Sequence, residues 1–143
     1  MSQPLRILWI EDDKFFTDAA CLNFQNAAMR AGEQITIEAV RTLSAGVIRS
    51  DEFDCVILDL GLPDSRTEET LAAIPRLAEI MPPIIVLSGF TYPDEGPTGM
   101  YWQAILNGAE DVYFKPQIME NPHLILDAIK KVVLIRHRQK HAT

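Results

Sequence analysis

The sequence predicts an α/β protein: a doubly wound, five-stranded parallel sheet with five helices on its two faces. Three observations carry this. Five short apolar runs are each followed by a helical stretch. Two of the runs, LRILWI and CVILDL, are almost continuously apolar, as in strands covered on both faces. Strict alternation of strand and helix calls for right-handed crossovers, which put helices on both sides of a parallel sheet. The 143 residues fit one domain, large enough to fold without a disulfide or structural metal.

The elements follow in order. Leu5–Ile10 is the first strand. Lys14–Ala31 is an amphipathic helix carrying Phe15, Phe16, Ala19, Ala20, Leu22 and Ala27, with Gly32 as its stop. Ile35–Val40 is strand two, and Leu43–Ser50 is a short helix containing Gly46. Cys55–Leu60 is strand three. Ser65-Arg66-Thr67-Glu68 has the pattern of a capping box, opening a helix that runs to about Ile80 before Pro82-Pro83. Ile84–Leu87 is strand four, and Gly89, Pro93, Gly96 and Pro97 mark 89–98 as a loop. A helix over Gly99–Asn107 ends at Gly108, and Asp111–Phe114 is strand five. Asn121-Pro122 starts the last helix, with Leu124, Ile125, Ala128, Ile129, Val132 and Ile135 inward.

Composition narrows the function. The formal net charge is −7, which argues against general affinity for nucleic acid or an anionic membrane. Residues 1–72 hold 13 acids and 6 bases, and residues 73–143 hold 7 of each. The opening MSQPLRILWIEDD is too short in its apolar run for a signal peptide or a membrane span. Cys21 and Cys55 lie in apolar surroundings without paired spacing, so they read as reduced thiols of a cytoplasmic protein.

In open parallel sheets, ligands bind beyond the carboxyl ends of the strands. Four of the five strands deliver polar groups there: Glu11-Asp12-Asp13 after strand one, Asp59 near the end of strand three, Ser88 after strand four, and Lys115-Pro116 after strand five. Glu11, Asp12 and Asp59 would converge, and crowded carboxylates must take up protons or bind a cation. Hard oxygen ligands suit Mg²⁺. An aspartate nucleophile, a divalent metal, a lysine and a hydroxyl together make a phosphoryl-transfer site. Asp13 reads instead as the N-cap of the first helix. His123, His137 and His141 have no ligand spacing.

Four segments resemble those of CheY-like receiver domains of response regulators in two-component signalling. ILWIEDD resembles the opening strand with its acidic pair, FDCVILDLGLPD the phosphoacceptor segment, IIVLSG the strand ending in a switch hydroxyl, and GAEDVYFKP the strand ending in a lysine. The resemblance spans nearly the whole chain. It implies a flavodoxin-like fold with strand order 2-1-3-4-5, and a single receiver domain over 1–143 with no output domain. It makes Asp59 the nucleophile, followed by Pro63, with Lys115 pairing to the acyl phosphate and Ser88 as the switch hydroxyl. Mg²⁺ would be held by Asp12, Asp59 and the backbone carbonyl of Gly61, with Glu11 acting through water. The Lys115–Pro116 peptide would be cis. The donor would be a histidine kinase or a histidine phosphotransfer protein. The output would be protein contact or phosphorelay rather than nucleic-acid or membrane binding, with homodimerisation through the fourth and fifth helices left open. The chain would catalyse only its own phosphorylation and dephosphorylation.

The sequence departs from that pattern in three places. Val112, beside Tyr113, stands where the family often has an aromatic residue, which points to output through helix four and its loop. The segment FTYPDEGPTGM lengthens the path from Ser88 to Lys115, either as a functional loop or as a tolerated insertion. Gly61 and Phe90 occupy positions that, by the resemblance, tune hydrolysis of the phosphoryl group, and their identities predict a long-lived phosphoform. Tyr101 and Trp102 read as a partner-facing patch or as packing. The basic tail from Lys130 to Lys140 reads as a solvated helix end or a dock for an acidic partner. Two other classes remain: a receiver-like scaffold that binds without phosphorylation, and an aspartate-nucleophile phosphohydrolase. The hydrolase lacks its usual second acid, because that position is Gly61.

Overall fold

The computed structural model describes residues 4–89 and 99–141. The chain alternates β1 (Leu5–Ile10), α1 (Lys14–Arg30), β2 (Ile35–Val40), α2 (Leu43–Arg49), a 3₁₀ turn (Ser50–Glu52), β3 (Cys55–Asp59), α3 (Thr67–Ile80), β4 (Ile84–Ser88), α4 (Met100–Asn107), β5 (Asp111–Phe114), α5 (Lys115–Glu120) and α6 (His123–His141). Among the described residues the five strands pair in parallel, in the order β2-β1-β3-β4-β5.

Strand alternation divides the core into two layers. Leu8, Ile10, Val56, Leu58, Val86 and Val112 face α2, α3 and α4. Ile7, Trp9, Ile57, Ile85 and Leu87 face α1, α5 and α6. Gly46 lets α2 lie close on β1, since a Cβ there would run into the Ile10 side chain. Gly108 ends α4 at φ +123°, a backbone state that glycine adopts without strain.

Several expectations change. Six helices are described rather than five, because residues 115–120 form a helix of their own. Pro116 sits in its first turn, where no backbone N–H is needed. Gln117 Oε1 caps the Phe114 amide at 2.9 Å, and Ile118 is fully buried. The Lys115–Pro116 peptide is trans, the geometry that a helical first turn requires.

The capping box of α3 is one residue later than expected. Glu69 Oε1 accepts from the Arg66 amide at 3.2 Å, so Glu68 is not its acid. Ser65 is held by a bridge to Leu62, and its hydroxyl meets Thr70 Oγ1 at 2.7 Å. Phe15 and Leu22 of α1 are exposed, as are Leu124 and Ile135 of α6, while Leu126 is buried. Their periodicity matched a face broader than the sheet can cover. Pro75 lies inside α3 and cannot donate to the Leu71 carbonyl one turn back. The Asn107 amide, at the end of α4, bonds that carbonyl at 2.8 Å.

Candidate functional site

The parallel register brings the strand ends into line. Ile10 pairs with Leu58, Asp59 with Leu87, and Ser88 with Phe114. The Glu11 amide donates to the Val40 carbonyl at 2.9 Å, carrying the ladder one residue past β1. Asp13 caps α1 as expected, accepting from the Phe16 amide at 3.0 Å. Its own amide donates to Glu11 Oε2 at 3.0 Å. These contacts fix the turn that presents the acids.

Carboxylate oxygens of Glu11, Asp12 and Asp59 lie within 4.8 Å of one another. Glu11 is fully buried, Asp59 is buried and Asp12 is exposed. Lys115 Nζ stands 2.5 Å from Glu11 Oε1, an ionic contact rather than an aligned hydrogen bond. The same ammonium lies 4.7 Å from the centre of the Phe16 ring. Together with Gly61, Thr67, Ser88 and Gly89, these residues line an open cleft of about 550 Å³.

Crowding sets the electrostatics. Burial pushes the Asp59 carboxyl up to about 7. The Glu11 charge adds to the rise, Lys115 opposes it, and a hydrogen bond with Glu11 and the Asp12 charge contribute further. Below about pH 7, and without a cation, the carboxyl cluster therefore retains a proton.

The cleft brings together every predicted site residue: Glu11, Asp12, Asp59, Gly61, Ser88 and Lys115. A Cβ at Gly61 would meet only Thr67 Oγ1, at 3.9 Å. Val112 is buried against the α3–α4 side of the sheet. Tyr113 packs on the opposite face, and its hydroxyl donates to Asp111 Oδ2 at 3.0 Å. Val112 and Tyr113 therefore belong to different core layers. Phe90 and the rest of 90–98 lie outside the described residues.

Thr67 and Gly89 also line the cleft. Neither has a signature in sequence, since each reaches the site through the path of a connection. Asp64 has a structural part as well. Its carboxylate accepts from the Leu43 and Ser44 amides at 2.9 and 3.1 Å, tying the β3–α3 connection to α2. An acid directly after Pro63 was the available signal.

No family model and no curated protein matches the chain. Solved structures do. A CheY-like response regulator receiver domain protein from Methanospirillum hungatei superposes with a TM-score of 0.67 at 20% identity, over 96% of this chain and 99% of that one. A response regulator from Burkholderia pseudomallei, solved with a phosphorylated aspartic acid, calcium and citrate, gives 0.63 at 19%, over 95% and 72%. The receiver domain of a DNA-binding response regulator from Colwellia psychrerythraea gives 0.64 at 23%, over 90% and 98%. The fold is the flavodoxin-like fold of response regulator receiver domains. Among the described residues, no helix is long and apolar enough to cross a membrane.

Proposed function

We propose that this protein is a response regulator receiver, accepting a phosphoryl group on Asp59 from a phosphohistidine of a kinase or phosphotransfer protein. The observation that carries the reading is the gathering of Glu11, Asp12, Asp59, Ser88 and Lys115 in one cleft at the carboxyl edge of a receiver-type sheet. The signal then leaves by protein contact or by onward transfer. Two free cysteines, one of them buried, suit a reducing, cytoplasmic setting.

The donor set fits a hard divalent cation. Three carboxylates offer oxygens within 4.8 Å, and burial beside Glu11 keeps Asp59 from ionising freely without a positive charge. Asp12, Asp59 and the Gly61 carbonyl would hold Mg²⁺, which when bound neutralises phosphate oxygens. Asp59, ionised, attacks phosphorus with a carboxylate oxygen. A new O–P bond forms as the P–N bond to the donor imidazole breaks, and the bonding pair stays on the imidazole nitrogen. The Lys115 ammonium meets the negative charge carried by the acyl phosphate. The Ser88 hydroxyl donates to a phosphoryl oxygen.

Val112, fixed in the core, favours a second reading in which the fold binds a partner unphosphorylated. One experiment separates the two. Incubation with acetyl phosphate and Mg²⁺, followed by intact mass spectrometry, should add a single phosphoryl increment to the wild type and none to Asp59→Ala. An unmodified wild type would leave the scaffold reading standing.

A further inference from the structure

The Lys115 side chain is 19% exposed, yet its ammonium touches only one face of the acid cluster, through Glu11. A lysine stem has four rotatable carbons and readily swings its head to water. The same ammonium lies over the ring of Phe16, 4.7 Å from Nζ to the ring centre. That distance falls within the range over which an aromatic face attracts a cation.

The Phe16 ring is itself held. It meets Trp9 edge-on, with ring centres 5.6 Å apart and planes at 86°. Trp9 stacks in turn on Phe24 at 5.6 Å, and both Trp9 and Phe24 are fully buried. The Phe16 amide is bonded to Asp13 Oδ1, in the same turn that carries Glu11 and Asp12. The ring is therefore fixed to the core and to the acid-bearing turn at once. Gly89 lies beside the lysine stem, where a Cβ would stand at ordinary contact distance, 3.9 Å, from Lys115 Cδ.

We infer that Phe16 is a positioning residue, whose ring face holds the Lys115 ammonium over the cleft so that it is in place before the phosphoryl group arrives. The functional half of this statement rests on the phosphoacceptor reading. The contact itself does not. Leucine or methionine at position 16 would fill much of the same space without offering a π face, whereas tyrosine would keep the face.

The test compares Phe16→Leu, Phe16→Met and Phe16→Tyr in two measurements. The first is the proton shift of the Lys115 ε-methylene, assigned by its loss in Lys115→Arg. Ring current should displace it upfield in the wild type and in Phe16→Tyr. It should return to the ordinary lysine position in Phe16→Leu and Phe16→Met. The second is the rate of phosphoryl uptake from acetyl phosphate with Mg²⁺. At saturating donor the rate should fall about five- to tenfold in the two aliphatic variants, the scale of one partly desolvated cation–π contact. Phe16→Tyr should stay within about twofold of wild type, and the apparent donor affinity should change little. Two aliphatic variants guard against one failing to fold. An unaltered ε-methylene shift in the folded aliphatic variants, or uptake at the wild-type rate in them, overturns the inference. Should the wild type take up no phosphoryl group, the phosphoacceptor reading falls, and the proton shift alone decides whether Phe16 holds Lys115.

Discussion

Asp59 is a carboxyl group taken out of water beside two other acids, and its titration has a direct consequence for stability. Its pKa is 3.8 in the ordinary reference and about 7 in the fold without a cation. Between those values the folded state holds a proton that the unfolded chain has released. Stability of the metal-free protein therefore declines as pH rises through that window. Thermal melts in chelator should show the midpoint falling from pH 4 toward pH 7. Asp59→Asn should raise stability at pH 7 by about 1–2 kcal/mol, in the range of other stabilising changes at strained functional sites. Excess Mg²⁺ should raise the wild-type midpoint and leave that of Asp59→Asn nearly unchanged. A flat wild-type profile in chelator would contradict the crowding described above. Cys55 gives a simpler check. Burial pushes its thiol up to about 12, so alkylation of the native protein at pH 8 should spare Cys55 until the protein is unfolded. At this scale the sequence was most legible where chemistry is unusual at a strand end: the acids, Ser88 and Lys115 stand out against apolar runs. Phe16 did not stand out, because its spacing is that of any core-facing helical residue, and only coordinates reveal the ammonium beside it.

Among the elements, α3 and α4 are joined by an interaction that depends on a proline. Pro75 leaves the Leu71 carbonyl without its helical donor, and Asn107 supplies one at 2.8 Å. Asn107→Ala should cost about 1–2 kcal/mol, as for a part-buried acceptor losing its partner. In a Pro75→Ala background the backbone N–H returns to that carbonyl, so the same change should cost clearly less. A double-mutant cycle by urea denaturation reads the difference, and strict additivity would refute the link. The sequence marked Pro82-Pro83 as a stop for α3 and was silent on Pro75. A carbonyl freed by a proline inside a helix needs another donor, and here that donor lies 36 positions away. The misplaced cap of α3 has a similar cause. Ser65, the better N-cap by chemistry, is committed to the turn with Leu62 and to Thr70, and Arg66 takes the position, its amide and its Nε both donating to Glu69 Oε1. The short helix α5 was unreadable for want of length, its six residues being too few to show a period.

For the whole molecule, strand–helix alternation was enough to give a parallel sheet with two covered faces, and the resemblance to receiver domains supplied the strand order. Which apolar residues stay outside was not legible. Phe15, Leu22 and Met29 of α1 and Tyr101, Trp102 and Leu106 of α4 are all exposed, because periodicity shows that a face is apolar without showing whether anything covers it. The site, by contrast, is a product of topology. Segments more than a hundred positions apart, from Glu11 to Lys115, end at one edge because every strand runs the same way. The central claim is that this edge takes a phosphoryl group on one carboxylate and nowhere else. Borohydride reduction of protein treated with acetyl phosphate, followed by peptide mass mapping, tests it directly, since an acyl phosphate is reduced to an alcohol while an ester or phosphoimidazole is not. The account predicts conversion of Asp59 alone, dependent on Mg²⁺. Modification at Ser88, at a histidine or at Asp12, or no conversion at all, would contradict it.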